Sequence, residues 1–186
     1  MAELPIAKPG DLCILLMPRD DERLALRKEQ ETLAAFFGGW LVPEPHITCQ
    51  RFQLEGGPSL GTLIERLQAA YRKVSPFTVY AAGLTQFLAP FWGTYVLRWQ
   101  VLEDHAWRQF LTLTDTTLTG NGCRLNYAHE IPATCSAVDL TRNVAVEDVP
   151  ELKFPHPLFV ARKVIITGIL GSNDFETLGE AAFEGG

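Results

Sequence analysis

The residues whose types and spacing suit chemistry are His46 and Thr48, in the run His46-Ile47-Thr48-Cys49. On a strand, side chains two apart point to the same face, so an imidazole and a hydroxyl stand together while Cys49 faces the other way. The hydroxyl suits a non-bridging phosphate oxygen. The imidazole, with an unperturbed pKa of about 6.5, takes a proton from a nucleophile or gives one to a leaving oxygen. The pair points to phosphate-ester chemistry.

A related segment lies downstream. Glu44-Pro45-His46-Ile47-Thr48-Cys49 and Glu130-Ile131-Pro132-Ala133-Thr134-Cys135 agree at Glu, Thr and Cys with a constant offset of 86 positions. Thr-Cys occurs nowhere else in the chain. Each copy follows an amphipathic helix pattern and a glycine-containing turn, so the chain reads as an internal duplication. Two such strands about a pseudo-two-fold axis would face one phosphate from opposite sides.

With those residues in place, the chain resembles the 2H phosphoesterases, which include 2′,5′-RNA ligase-like proteins and cyclic-nucleotide phosphodiesterases. Their mark is two H-x-T/S-x motifs on pseudo-symmetric lobes. His46-Ile47-Thr48-Cys49 matches the first motif, Pro45 before it is typical, and the element order matches over roughly residues 11–170. The resemblance implies metal-independent chemistry on cyclic phosphates or 2′,5′ linkages, with no cofactor. It also implies catalytic roles for His46, Thr48 and Thr134. The second motif departs from the pattern, because Pro132 stands where the second histidine belongs and proline transfers no proton. Either the site works with one histidine, or another group substitutes, or catalysis is lost. His129, three residues upstream in a loop, is the nearest substitute. Tyr127 is a candidate hydrogen-bond donor to phosphate. Phe91 and Trp92 read as core or rim packing, or as a base-stacking platform over the site.

The remaining chemistry-bearing residues read as structural. His105 falls in the first turn of a helix and His156 between two prolines, both expected in solvent or loop. A zinc site from His46, Cys49, His129 and Cys135 conflicts with strand alternation, which sends His46 and Cys49 to opposite faces. Cys49 and Cys135 read as small core residues. No C-x-x-C pair occurs among the four cysteines, so reduced thiols are expected.

Composition bounds the function. The chain has 186 residues, 47% of them hydrophobic, and a formal net charge of −6. That excludes wholesale disorder, and the absence of a Lys/Arg run argues against grip on long duplex DNA. A nucleotide or a short RNA end remains a fitting partner, since one local site can be positive on an acidic protein. No apolar run approaches the roughly 20 residues a membrane helix needs, and no secretory leader pattern opens the chain. A cytoplasmic protein without membrane contact is expected.

Hydrophobic periodicity supplies the elements that would position the site. Strands are expected at Asp11–Met17, His46–Leu54, Phe77–Ala82, Tyr95–Val101, Ala133–Leu140 and Leu158–Leu170. Helices are expected to start near Asp20, Ser59 and Asp104. Leu26, Leu33, Phe36 and Phe37 form the apolar stripe of the first, and Trp107, Phe110, Leu111, Thr114 and Leu118 that of the third. Residues 143–157 read as a connecting loop. The fold class is α+β, a bilobal arrangement of two antiparallel sheets around a central cleft with helices outside. Residues 1–171 form a single bilobal domain, and 172–186 an acidic, glycine-rich, disordered tail. The leading functional reading is a phosphodiesterase or 2′,5′-RNA ligase-like enzyme. The alternatives are a non-catalytic protein that binds a phosphate, nucleotide or RNA end, and a structural domain whose repeat is coincidence.

Overall fold

The computed structural model describes residues 10–89, 93–126, 133–146, 149, 152–171 and 174–185. In chain order the elements are β1 (Leu12–Leu16), α1 (Asp20–Phe37), β2 (Trp40–Leu41), β3 (Ile47–Leu54), α2 (Leu60–Tyr71), β4 (Phe77–Ala89) and β5 (Thr94–Val101). They continue with α3 (His105–Gly120), β6 (Cys123–Leu125), β7 (Thr134–Leu140), β8 (His156–Ala161), β9 (Lys163–Gly171) and β10 (Asp174–Ala182). Every pairing is antiparallel, and the main strand order is β10-β9-β1-β3-β7-β5-β4-β8, with β2 added to β7 and β6 to β3.

This order is symmetric about the β3–β7 junction, and the offset of 86 positions explains why. Shifted by that offset, α1 falls on α3, β3 on β7 and β4 on β9, and the start of β1 falls within β5. The cross-connections obey the same symmetry. The short strand β2 of the first half pairs with β7 of the second, and β6 of the second half pairs with β3 of the first. The helices cross over likewise, α1 behind β7 and α3 behind β3. Gln30 of α1 donates to the Ala137 carbonyl at 2.8 Å, and Gln50 of β3 donates to Asp115 of α3 at 2.8 Å.

Where two sheets were expected, the ten described strands join one sheet, eight of them along a single hydrogen-bonded path with β2 and β6 attached to its middle strands. Among the described residues its two middle strands, β3 and β7, are registered at the single pair Ile47↔Cys135. The expected last strand, Leu158–Leu170, is in fact two strands that part at Arg162. The first, β8, closes one end of the path on β4; the second, β9, lies on β1 near the other end. One residue therefore links strands near opposite ends, and the sheet curls.

Helix boundaries follow local chemistry. Asp104 caps α3 by accepting from Trp107 N at 2.9 Å, and Ser59 caps α2 by accepting from Thr62 N. The first helix begins at Asp20, with Arg19 as its cap residue, so Asp20 and Asp21 lie in the first turn and not at the cap. Gly39, at φ +111°, lets the chain pass β7. A Cβ there would meet the Asp139 carbonyl oxygen at 2.2 Å.

All three helices pack on one face of the sheet. Leu26 and Leu33 of α1, Leu63 and Leu67 of α2, and Trp107 and Phe110 of α3 join Ile14, Ile47, Phe52, Trp99 and Cys135 in one core. Phe36, expected in the α1 stripe, is exposed, while Phe37 beside it is buried. The expected tail is also corrected. Residues 174–182 form β10 on β9, and Phe183 beyond it is buried among Tyr71, Phe77 and Phe110. Among the described residues, no helix is long and apolar enough to cross a membrane.

Candidate active site

The junction pair Ile47↔Cys135 sets the site. Both side chains are fully buried on the helix-covered face. Residues flanking them therefore point to the helix-free face. Antiparallel register continues one step either way, which places Thr48 opposite Thr134 and His46 opposite Ser136. The backbone agrees, since Ser136 N donates to the His46 carbonyl at 3.3 Å. Opposed residues in such a ladder have Cα atoms about 4.5–5.5 Å apart, so the two threonines are close enough to share one ligand oxygen set.

The grid extends across β5 and β4. Gln100 pairs with Thr134, Arg98 with Ser136, and Thr85 with Arg98. One row on the helix-free face thus reads His46, Ser136, Arg98, Thr85, and the next reads Thr48, Thr134, Gln100. Arg98 Nη1 donates to Ser136 Oγ at 3.3 Å, and Ser136 Oγ lies 3.5 Å from the His46 carbonyl oxygen.

His46 is oriented from two sides. Its Nδ1 lies 3.0 Å from the Glu44 carbonyl oxygen. A carbonyl only accepts, so Nδ1 carries the proton and the neutral ring presents its lone pair at Nε2. The Phe175 ring meets the imidazole edge to face, with centroids 5.6 Å apart at 71°. Burial pushes the His46 pKa below the ordinary imidazole value. The bond to Glu44 opposes that shift, and the positive charge of Arg98 adds to it. The neutral ring is thereby favoured, which is the state a general base needs.

The first half of this face carries an apolar cluster in which Cys13, Leu15, Ile165 and Ile169 are buried together, with Met17 and Phe175 against them; the register sets two buried polar residues, Arg51 and Thr167, on either side of Cys13. On the second half, desolvation raises the Asp139 carboxyl pKa, while Arg98 and the Trp40 side chain lower it. Cys49 and Cys135 lie in the core on the other face, and burial raises both thiols, Cys135 to about 12.

The structure thus brings His46, Thr48 and Thr134 to one face. His129, Tyr127, Phe91, Trp92 and Pro132 lie outside the described residues. His105 is exposed at the start of α3. His156, expected in a loop, instead opens β8 and pairs with Glu29 at 2.9 Å. Sequence reasoning missed Arg98, Ser136 and Phe175. The alternation of Tyr95, Leu97, Trp99 and Val101 did carry a signal for Arg98, since it leaves position 98 on the face away from the core.

No family model matches the chain, and a search of curated proteins finds no match. Solved structures do match. The structure of TT0787 from Thermus thermophilus superposes with a TM-score of 0.64 at 16% identity, covering 94% of this chain and 98% of that one. E. coli LigT complexed with 3′-AMP gives a TM-score of 0.61 at 13% identity, covering 95% and 99%. A crystal structure described as a phosphoesterase gives 0.57 at 13% identity, with the same coverage. The likeness shows the fold: a curled antiparallel sheet with three helices, shared with LigT over nearly the whole of both chains.

Proposed function

We propose that this chain is a 2H phosphoesterase-like enzyme, a metal-independent phosphodiesterase or 2′,5′-RNA ligase-like protein. Its substrate is a cyclic phosphate or a 2′,5′ linkage on a nucleotide or RNA end. The observation that carries the reading is the register that sets Thr48 opposite Thr134, with His46 on the same face. Two hydroxyls from symmetry-related strands suit the two non-bridging oxygens of one phosphodiester. The fold shared with LigT, a protein crystallised with 3′-AMP and with NADP+, supports nucleotide binding.

In hydrolysis of a cyclic phosphate, His46 Nε2 accepts a proton from water as the water oxygen bonds to phosphorus. One ring P–O bond breaks, and its electron pair leaves on the sugar oxygen. That oxygen takes up a proton from solvent, or from a substitute for the absent second imidazole, for which His129 is the candidate. The Glu44 carbonyl steadies the imidazolium through Nδ1–H. The backbone bond from Ser136 to His46 keeps the two motif strands in step.

The test is hydrolysis of a 2′,3′-cyclic nucleotide by the wild-type chain and by His46→Ala. Turnover that disappears in the variant supports the reading; turnover that persists unchanged removes His46 from the chemistry. Pro132 favours a second reading, a protein that binds such ends without turning them over. Calorimetric binding of the cyclic nucleotide with no product formed would select it.

A further inference from the structure

The helix-free face differs in polarity on the two sides of the motif residues. Toward β1 and β9 their nearest neighbours are apolar, with Leu15 beside Thr48 and Phe175 against His46, and the buried Arg51 stands further along β3, beside Cys13. Toward β5 and β4 it is polar, with Gln100 beside Thr134 and Arg98 between Ser136 and Thr85. Arg98 sits mid-sheet, since β5 has β7 on one side and β4 on the other. A cation in that position loses hydration and is favoured by nearby negative charge. It is also held in place. Ser136 Oγ accepts from Nη1 and itself lies against the His46 carbonyl, so a single hydroxyl ties the guanidinium to the strand that carries the imidazole. His46 and Arg98 are two strand spacings apart, about 10 Å between backbones, with Ser136 on the strand between them.

We propose that Arg98 is the anion anchor of the site. Its guanidinium holds a non-bridging phosphate oxygen beside the Thr48 and Thr134 hydroxyls and offsets the negative charge that gathers on the phosphate as the ring bond breaks. The second motif, with proline for imidazole, supplies no cation for that purpose. The inference rests on the phosphate reading of the site and adds the residue that carries its charge. A planar fork suits two phosphate oxygens in a way a point charge does not. The rival role is purely structural, with Arg98 serving only as the counter-charge of Asp139.

Inorganic phosphate is the probe, with the full chain and the His46 Cε1–H resonance followed through a pH titration. Phosphate should raise the His46 pKa in the wild type, because an anion now faces the ring. In Arg98→Gln that response should vanish, and phosphate affinity should fall tenfold or more, with Arg98→Lys in between. In Asp139→Asn the phosphate response should persist. If Arg98→Gln folds and responds to phosphate as the wild type does, the anchor is elsewhere and the phosphate site stands. If phosphate leaves His46 unmoved in the wild type, the phosphate reading itself falls, and Arg98's role with it. Should Arg98→Gln not fold, the Arg98 Nε–H resonance of the wild type decides: a shift on adding phosphate supports the anchor, and none overturns it.

Discussion

The rings of His46 and Phe175 lie 5.6 Å apart at 71°, so the C-terminal strand β10 touches the imidazole directly. Edge-to-face ring contacts contribute roughly 0.5–1.5 kcal/mol beyond area burial. If the contact orients His46 for proton transfer, its loss falls mainly on the transition state. Phe175→Leu should therefore lower kcat about two- to tenfold and leave KM nearly unchanged, while Phe175→Tyr keeps most of the rate. Steady-state kinetics on a 2′,3′-cyclic nucleotide, with thermal unfolding alongside, separates this from a general loss of stability.

His46 also makes stability depend on pH in a stated direction. Its folded-state pKa lies below the ordinary 6.5, chiefly because of burial. As pH falls, the unfolded chain therefore binds the proton first. Stability is full above about 6.5 and declines as pH drops toward the folded-state value. His46→Gln should remove that part of the decline. Urea unfolding at pH 7.5 and pH 5 should show a smaller difference for the variant than for the wild type; equal differences would mean His46 is not held neutral. The rate should follow the same group, rising with pH up to its folded-state value, which lies below 6.5, and flat above that.

Residues 172–186 look like a tail because their pattern is acidic and carries glycine, yet they supply an edge strand and a core aromatic. Lys163 bonds Glu180 across the β9–β10 ladder at 2.6 Å, and a Cβ at Gly179 would stand 3.0 Å from Ile64 of α2. Acidic positions face outward and the glycine marks a close approach, so alternation of apolar residues never develops. Phe183, beyond the strand, is only 6% exposed. Phe183→Ala should cost about 3–5 kcal/mol of stability, measured as a drop in the urea midpoint. A disordered tail would cost nothing.

Other parts were legible for physical reasons. The helices are amphipathic, and both motif strands keep strict alternation around His46 and Thr134, so their faces follow from residue type. Arg98 was half legible: its neighbours Leu97 and Trp99 declare the core face, which leaves Arg98 on the other. Its place beside Ser136 depends on the β5–β7 register, where the pairing slips between Leu97 and Arg98. No local pattern encodes such a slip. Nor does any local pattern encode the passage from β8 to β9 at Arg162, because Val160, Val164, Ile166 and Leu170 stay in phase across it.

The symmetry of the fold makes the absent histidine testable. Shifted by 86 positions, His46 falls on Pro132. Thr48 faces Thr134 across the junction, and the same symmetry is expected to make an imidazole at 132 the counterpart of His46. The strand can accept the change, since Ala133, the next residue, already accepts from Val101 N at 2.8 Å. Pro132→His should raise turnover of a 2′,3′-cyclic nucleotide by roughly 10²–10⁴-fold, the usual worth of one general acid or base. It should also convert a single-limbed pH–rate profile into a bell, because one imidazole must then be neutral and the other protonated. His129→Ala made in both backgrounds distinguishes a true second partner from the substitute: it should slow the wild type if His129 stands in, and leave Pro132→His almost untouched. A Pro132→His chain that folds, binds the nucleotide and keeps a single limb at the old rate would mean the second motif does not face the phosphate.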